Sequence, residues 1–134
     1  MKYAIITSLL LLSTAVMGGN LKDETPIIRK AAERNNIKYQ SNNWYLLLAI
    51  RKAENGRTGR EFGIMNTKAN NLNKQAGWAS ATIIKHHKRT GIQEVNQKFI
   101  NSLADRYCPK ETDPQGNINW KKNVSYFFTI SVLR

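Results

Sequence analysis

In the run WYLLLAIRKAEN, residues 44–55, apolar side chains recur at the three- and four-residue spacing of a helix face. A segment with that period buries one side as a helix and cannot do so as a strand. The same spacing returns along most of the chain. Ile27, Ile28, Ala31 and Ala32 share one face of a first helix. A third helix from about Leu72 to Arg89 places Trp78, Ala79, Ala81, Ile83 and Ile84 inside. IQEVNQKFINSLADRY buries Val95, Phe99, Ile100 and Leu103, and a last helix carries Trp120, Val124, Phe127, Phe128, Ile130 and Val132. Thr25 with Pro26 suits a helix start, Asn42 or Asn43 can cap the second helix, and Gly56 can end it. Gly91 suits the end of the third helix, and Pro109 with DPQGN separates the last two. No strand pair or repeat competes with this reading. The prediction is one all-α domain of four to five helices over residues 20–134.

Residues 1–19, MKYAIITSLLLLSTAVMGG, stand apart from it. Lys2 supplies a charged start, Ala4 to Met17 an apolar stretch, and Val16, Met17 and Gly18 a tolerable cleavage site, the pattern of a signal peptide. The stretch is shorter than the roughly 20 residues that span a bilayer, so export is expected rather than stable membrane insertion. The location implied is periplasmic or extracellular. No cysteine follows the segment closely, which argues against a lipid-anchored form. Cys108 is the one cysteine, so no intrachain disulfide can form and the core alone must hold an exported domain together. Cys108 itself reads as a packed thiol, since His86 and His87 lie elsewhere, in the basic run KHHKR, and read as a solvated face.

Removing Lys2 lowers the net charge from +12 to +11. A balance this basic attracts polyanions. Inside a cell the obvious polyanion is nucleic acid; outside, it is a cell wall with acidic polymers or a membrane surface. The export signal favours the outer partners.

Glu54 is the residue that most needs an explanation. Leu47, Ile50 and Glu54 fall on one side of the second helix, so the carboxylate continues an inward face. Burial removes its water, and the negative end of the helix dipole lies at the same turn. Both raise its pKa, and a carboxylic acid still protonated near neutrality is what general acid catalysis on a leaving sugar oxygen requires. The bland alternative is a solvated glutamate paired with Arg57 or Lys52.

The stretch PIIRKAAERNNIKYQSNNWYLLLAIRKAENGRTGREFGIMN resembles the opening of lysozyme-like peptidoglycan-cleaving domains, the lytic transglycosylases and bacterial cell-wall glucosaminidases. In those domains a helix ends at the catalytic glutamate, a small residue and glycine often follow, and a glycine-apolar turn comes next. AIRKAENG matches the first part, with Glu54 at the position of the catalytic glutamate. EFGIMN matches the second, with Gly63, Ile64, Met65 and Asn66 at the substrate-binding turn. Asn66 stands where the family often has glutamine, and the segment between Glu54 and Phe62 is shorter than the usual pattern. RYCPKETDPQGNINWKKNVSYFF is similar to the late tyrosine segment and final helix of the family, which makes Tyr107 the candidate aromatic wall. The resemblance covers residues 26–130.

It implies cleavage of the β-1,4 bond between N-acetylmuramic acid and N-acetylglucosamine, with glycan strands and anionic wall polymers as partners. No metal or cofactor, no nucleic acid and a monomeric state are expected. A transglycosylase needs one glutamate. A water-using hydrolase normally needs a second carboxylate, for which Glu61 is the nearest candidate, with an ion pair to Arg57 or Arg60 as its plain reading. A basic wall-polymer or nucleic-acid binding module without turnover is the alternative from another class. Trp44, Trp78 and Trp120 sit at helical positions, where two of the three are expected in the core.

Overall fold

The computed structural model describes residues 23–133, and the segment 1–19, expected to be a signal peptide, lies outside them. Among the described residues there are five helices and no strand: α1 over 23–34, α2 Asn42–Glu54, α3 Leu72–Thr90, α4 Gln97–Tyr107 and α5 Pro114–Val132. The domain is all-α, as the periodicity requires. None of these helices is long and apolar enough to cross a membrane.

The second helix is the centre of the core. Trp44, Leu46, Leu47, Ala49, Ile50 and Ala53 are all buried, which is a helix enclosed on nearly every side. Its main partner is α5, which lays Trp120, Val124 and Phe127 against it, while α4 packs on α5 with Phe99, Ile100, Leu103 and Tyr107. Ile28, Ala31 and Ala32 of α1 complete the core, with Ile37 just beyond.

Several boundaries differ from those expected, for reasons in side-chain chemistry. Ser41, not Asn42 or Asn43, caps α2; its hydroxyl accepts from the Trp44 amide at 3.3 Å. The helix ends at Asn55 rather than Gly56, because the asparagine itself takes the left-handed turn at φ 48°. Thr25 is already inside α1, whose first described turn tolerates Pro26. The fourth helix starts five residues later than the apolar pattern, at an Asn96 cap, which leaves Val95 half-buried outside it. DPQGN is a helix start and not a break: Asp113 accepts from the Gly116 amide, and Pro114 occupies the first turn. Gly91 ends α3 at φ 74°, as expected.

The third helix is rotated from the expected register. Trp78 is 40% exposed and Ala81 and Ile84 are half-buried, while Gln75, Ala76, Ala79, Ser80 and Ile83 face the core. With them goes His86, so KHHKR is not a solvated face throughout. The His86 ring is buried against Phe99, with Nε2 at 2.8 Å from the Ser102 hydroxyl. His87 stacks on the same Phe99, its centroid 4.0 Å away, and bonds Ile92 O and Asn43 Oδ1. Imidazole is flat and half apolar, so it fills a helix–helix seam when both nitrogens find partners. Burial, followed by the Arg89 and Arg106 charges, lowers the His86 pKa below its usual 6.5. His86 is therefore neutral in the fold but charges readily in the unfolded chain. The stability this gives is present above pH 6.5 and is lost as pH falls through the folded-state value. His86→Gln should remove this contribution, so the melting-temperature difference between wild type and the variant should shrink as pH falls below 6.5.

Candidate active site

Glu54 closes α2, and the structure turns its side chain inward with Leu47 and Ile50, both fully buried on the same side. The carboxyl group meets α5: Trp120 Nε1 donates to Glu54 Oε2 at 2.9 Å. On its other side lies Gly63. A methyl built on Gly63 would fall within the space that Oε1 occupies, and the residue has φ 72°, so both the close approach and the backbone require glycine there. Loss of water dominates the titration of the group and outweighs the opposing Trp120 hydrogen bond, raising the pKa from 4.5 to about 8. Glu54 is a protonated acid at neutral pH. Because the indole N–H needs an acceptor, Oε2 serves as the carbonyl oxygen and the acid proton belongs on Oε1, beside Gly63.

The loop that brings Gly63 to the carboxyl group is held by two buried polar side chains that sequence reasoning missed. Gln75, fully buried in the first turn of α3, accepts from the Phe62 and Ile64 amides at 3.1 and 3.3 Å. It donates to Ile64 O and Ala69 O at 2.8 and 2.6 Å. One amide thus serves four backbone groups, in the place a neighbouring strand would fill. Arg51 is 4% exposed, grips both oxygens of Glu24 at 2.8 and 2.9 Å, and reaches Gly56 O and Glu61 O at 3.3 Å. A glutamine or arginine in an amphipathic run reads as solvent-facing, so composition gives no warning of either. The only available signal was register: Gln75 lies four residues before Ala79 and eight before Ile83, on one face.

The remaining predicted residues divide. Ile64 is buried with its side chain in the core, so only its backbone belongs to the turn. Met65 is 52% exposed and Asn66 is exposed, with Asn66 Oδ1 accepting from the Lys68 amide at 2.9 Å. Tyr107 offers no open face to a sugar. It is 1% exposed and stacks behind Trp120 at 5.1 Å, and its hydroxyl has no hydrogen-bond partner among the described residues. Burial and the neighbouring Glu54 hold that phenol protonated. Glu61 is buried too, and its Oε1 accepts from the Gly59 amide at 3.0 Å, which closes its own loop. Cys108 is a buried thiol pushed up to about 11 by burial first and the nearby acids second. Among the described residues, no group of three or more His, Cys, Asp or Glu could hold a metal ion.

Comparison with protein families, curated proteins and solved structures finds no match for this chain.

Two outcomes follow from the geometry of the site. Glu54 is neutral in the fold and ionises in the unfolded chain, so the stability from burying it is complete below pH 4.5 and is lost as pH rises to about 8. Glu54→Gln, which keeps an acceptor for Trp120, should melt like wild type at pH 4 and increasingly above it towards pH 8. Gln75→Leu should destabilise the protein by about 2–4 kcal/mol, because four backbone groups lose their partner. Hydrogen exchange of the Phe62 and Ile64 amides should accelerate in that variant.

Proposed function

We propose that this chain is an exported lysozyme-like enzyme that cleaves the β-1,4 bond between N-acetylmuramic acid and N-acetylglucosamine, as a lytic transglycosylase with Glu54 as its acid and base. One observation carries the reading. A half-buried glutamate at a helix end has its carboxyl group partly shielded from water, oriented by an indole N–H and pressed against a glycine that leaves it space. That arrangement favours a proton on Oε1 at neutral pH, ready for a leaving oxygen. In the proposed reaction Oε1–H protonates the glycosidic oxygen as the C1–O bond breaks. The resulting carboxylate then takes the proton of the sugar's own 6-hydroxyl while that oxygen closes on C1, giving a 1,6-anhydro ring and restoring the acid.

The single-carboxylate route is favoured over hydrolysis by the position of Glu61, whose carboxylate is buried and committed to the Gly59 amide. The basic surface supports retention on an anionic wall. Trp120 has two tasks here, since it orients Glu54 and rests on Tyr107.

Digestion of purified peptidoglycan tests the assignment. Wild type should release fragments ending in anhydro-muramic acid, with kcat/KM falling as pH rises through about 8, where Glu54 loses its proton. Glu54→Gln should lose at least about a hundredfold of that activity, the usual scale of general acid catalysis. Reducing-end products would turn the reading to a hydrolase. Equal digestion by the variant, or wall binding by both proteins without digestion, would overturn the assignment of Glu54.

A further inference from the structure

A groove of about 460 Å³ lies between the end of α1 and the outer face of α3, and none of its lining residues belongs to the Glu54 site. Three cations edge it, Arg34, Lys74 and Lys85, and Trp78 offers the one indole in the protein that is substantially exposed. Arg34 donates to Asn73 Oδ1 at 2.6 Å, so the guanidinium is held at the rim by a second polar side chain of the groove.

The floor carries an independent signal. Gly77 stands in the interior of a 19-residue helix, where glycine is among the poorest residues. Its packing does not require it: a methyl there would meet nothing nearer than 3.8 Å, and its backbone has no positive φ. The space that its missing side chain leaves opens into the groove beside Trp78. A residue that weakens its helix without a packing reason, at the base of a cavity, fits a role in admitting a ligand.

We propose that this groove binds an acidic N-acetyl sugar of a glycan strand, its ring on the Trp78 indole over Gly77 and its carboxylate at Arg34, on the side of Asn73 and Lys74. A volume of this size is at the lower end of small-ligand sites and suits one or two sugar rings. Asn73 and Arg34 supply hydrogen bonds for hydroxyl and acetamide oxygens. A single indole favours a sugar over a nucleic-acid strand, which is held by successive aromatic platforms. The identity of the glycan rests on the proposed function, but the site itself does not use Glu54. It would act as an anchoring subsite on another face of the domain.

The test is calorimetric titration of the full chain with the N-acetylglucosamine–N-acetylmuramic acid disaccharide, with neutral chitobiose and with a dT oligonucleotide. The acidic disaccharide should bind at least about tenfold more tightly than chitobiose, and Trp78→Ala should weaken it by about tenfold or more. Gly77→Ala should raise the melting temperature by about 2–5 °C while weakening the disaccharide, a combination that a purely structural glycine would not give. Equal affinity for chitobiose, unchanged binding in Gly77→Ala, or tighter Trp78-dependent binding of the oligonucleotide would each overturn the site, as would the absence of binding. Binding without Glu54-dependent digestion would instead sink the catalytic assignment alone.

Discussion

The contact between Glu54 and Trp120 is the constraint around which this small domain is arranged. An apolar helix can lie fully enclosed against α5 only if the carboxyl group at its end is accommodated, and an unpaired charge there would be far too costly. The fold meets that condition by keeping the group protonated, with one oxygen on an indole N–H and the other against bare backbone. Tyr107 then backs the indole, so the ring cannot swing away from the carboxyl group without disturbing α4. Stability and chemistry thus draw on the same few atoms.

The loop between α2 and α3 shows how a chain without disulfides can hold an irregular segment in place. Arg51 and Gln75 work from inside, one as an ion-paired clamp on α1 and the other as a four-way hydrogen-bonding spacer. Each satisfies backbone groups that would otherwise be buried alone. Gly56 at the start of the loop and Gly63 at its middle allow the close approach: a methyl on Gly56 would strike Arg60 O, and one on Gly63 would strike the Glu54 carboxyl group.

Helical periodicity was enough to predict four to five helices, of which the fold has five, and the inward direction of Glu54, because burial repeats at every turn and small errors of register average out. It failed where one side chain decides the outcome. Helical spacing groups Trp78 with Ala79 and Ile83 as core, yet it lies one step round the helix from Ala79 and faces outwards. His86 was assigned to solvent by its charged neighbours, yet its ring fills the seam with α4. Tyr107 was expected to form a wall and is buried behind one. Gln75 shares a register with Ala79 and Ile83, but nothing local shows what it or Arg51 holds, since their partners lie 5 to 27 residues distant. Local pattern thus located the acid but not the side chains that hold its surroundings.

Glu54 and the tryptophan that orients it are 66 positions apart, which has a consequence for the order of events during folding. Pairings between α2 and α5 require most of the intervening chain to be in place, and such non-local contacts form late. Until α5 docks, Glu54 is an ordinary carboxylic acid, ionised in neutral water. Its unusual proton affinity is acquired only when α5 docks. A chain in which α5 is undocked therefore carries an ordinary glutamate here, and the protonated acid arises together with the structure that confines it.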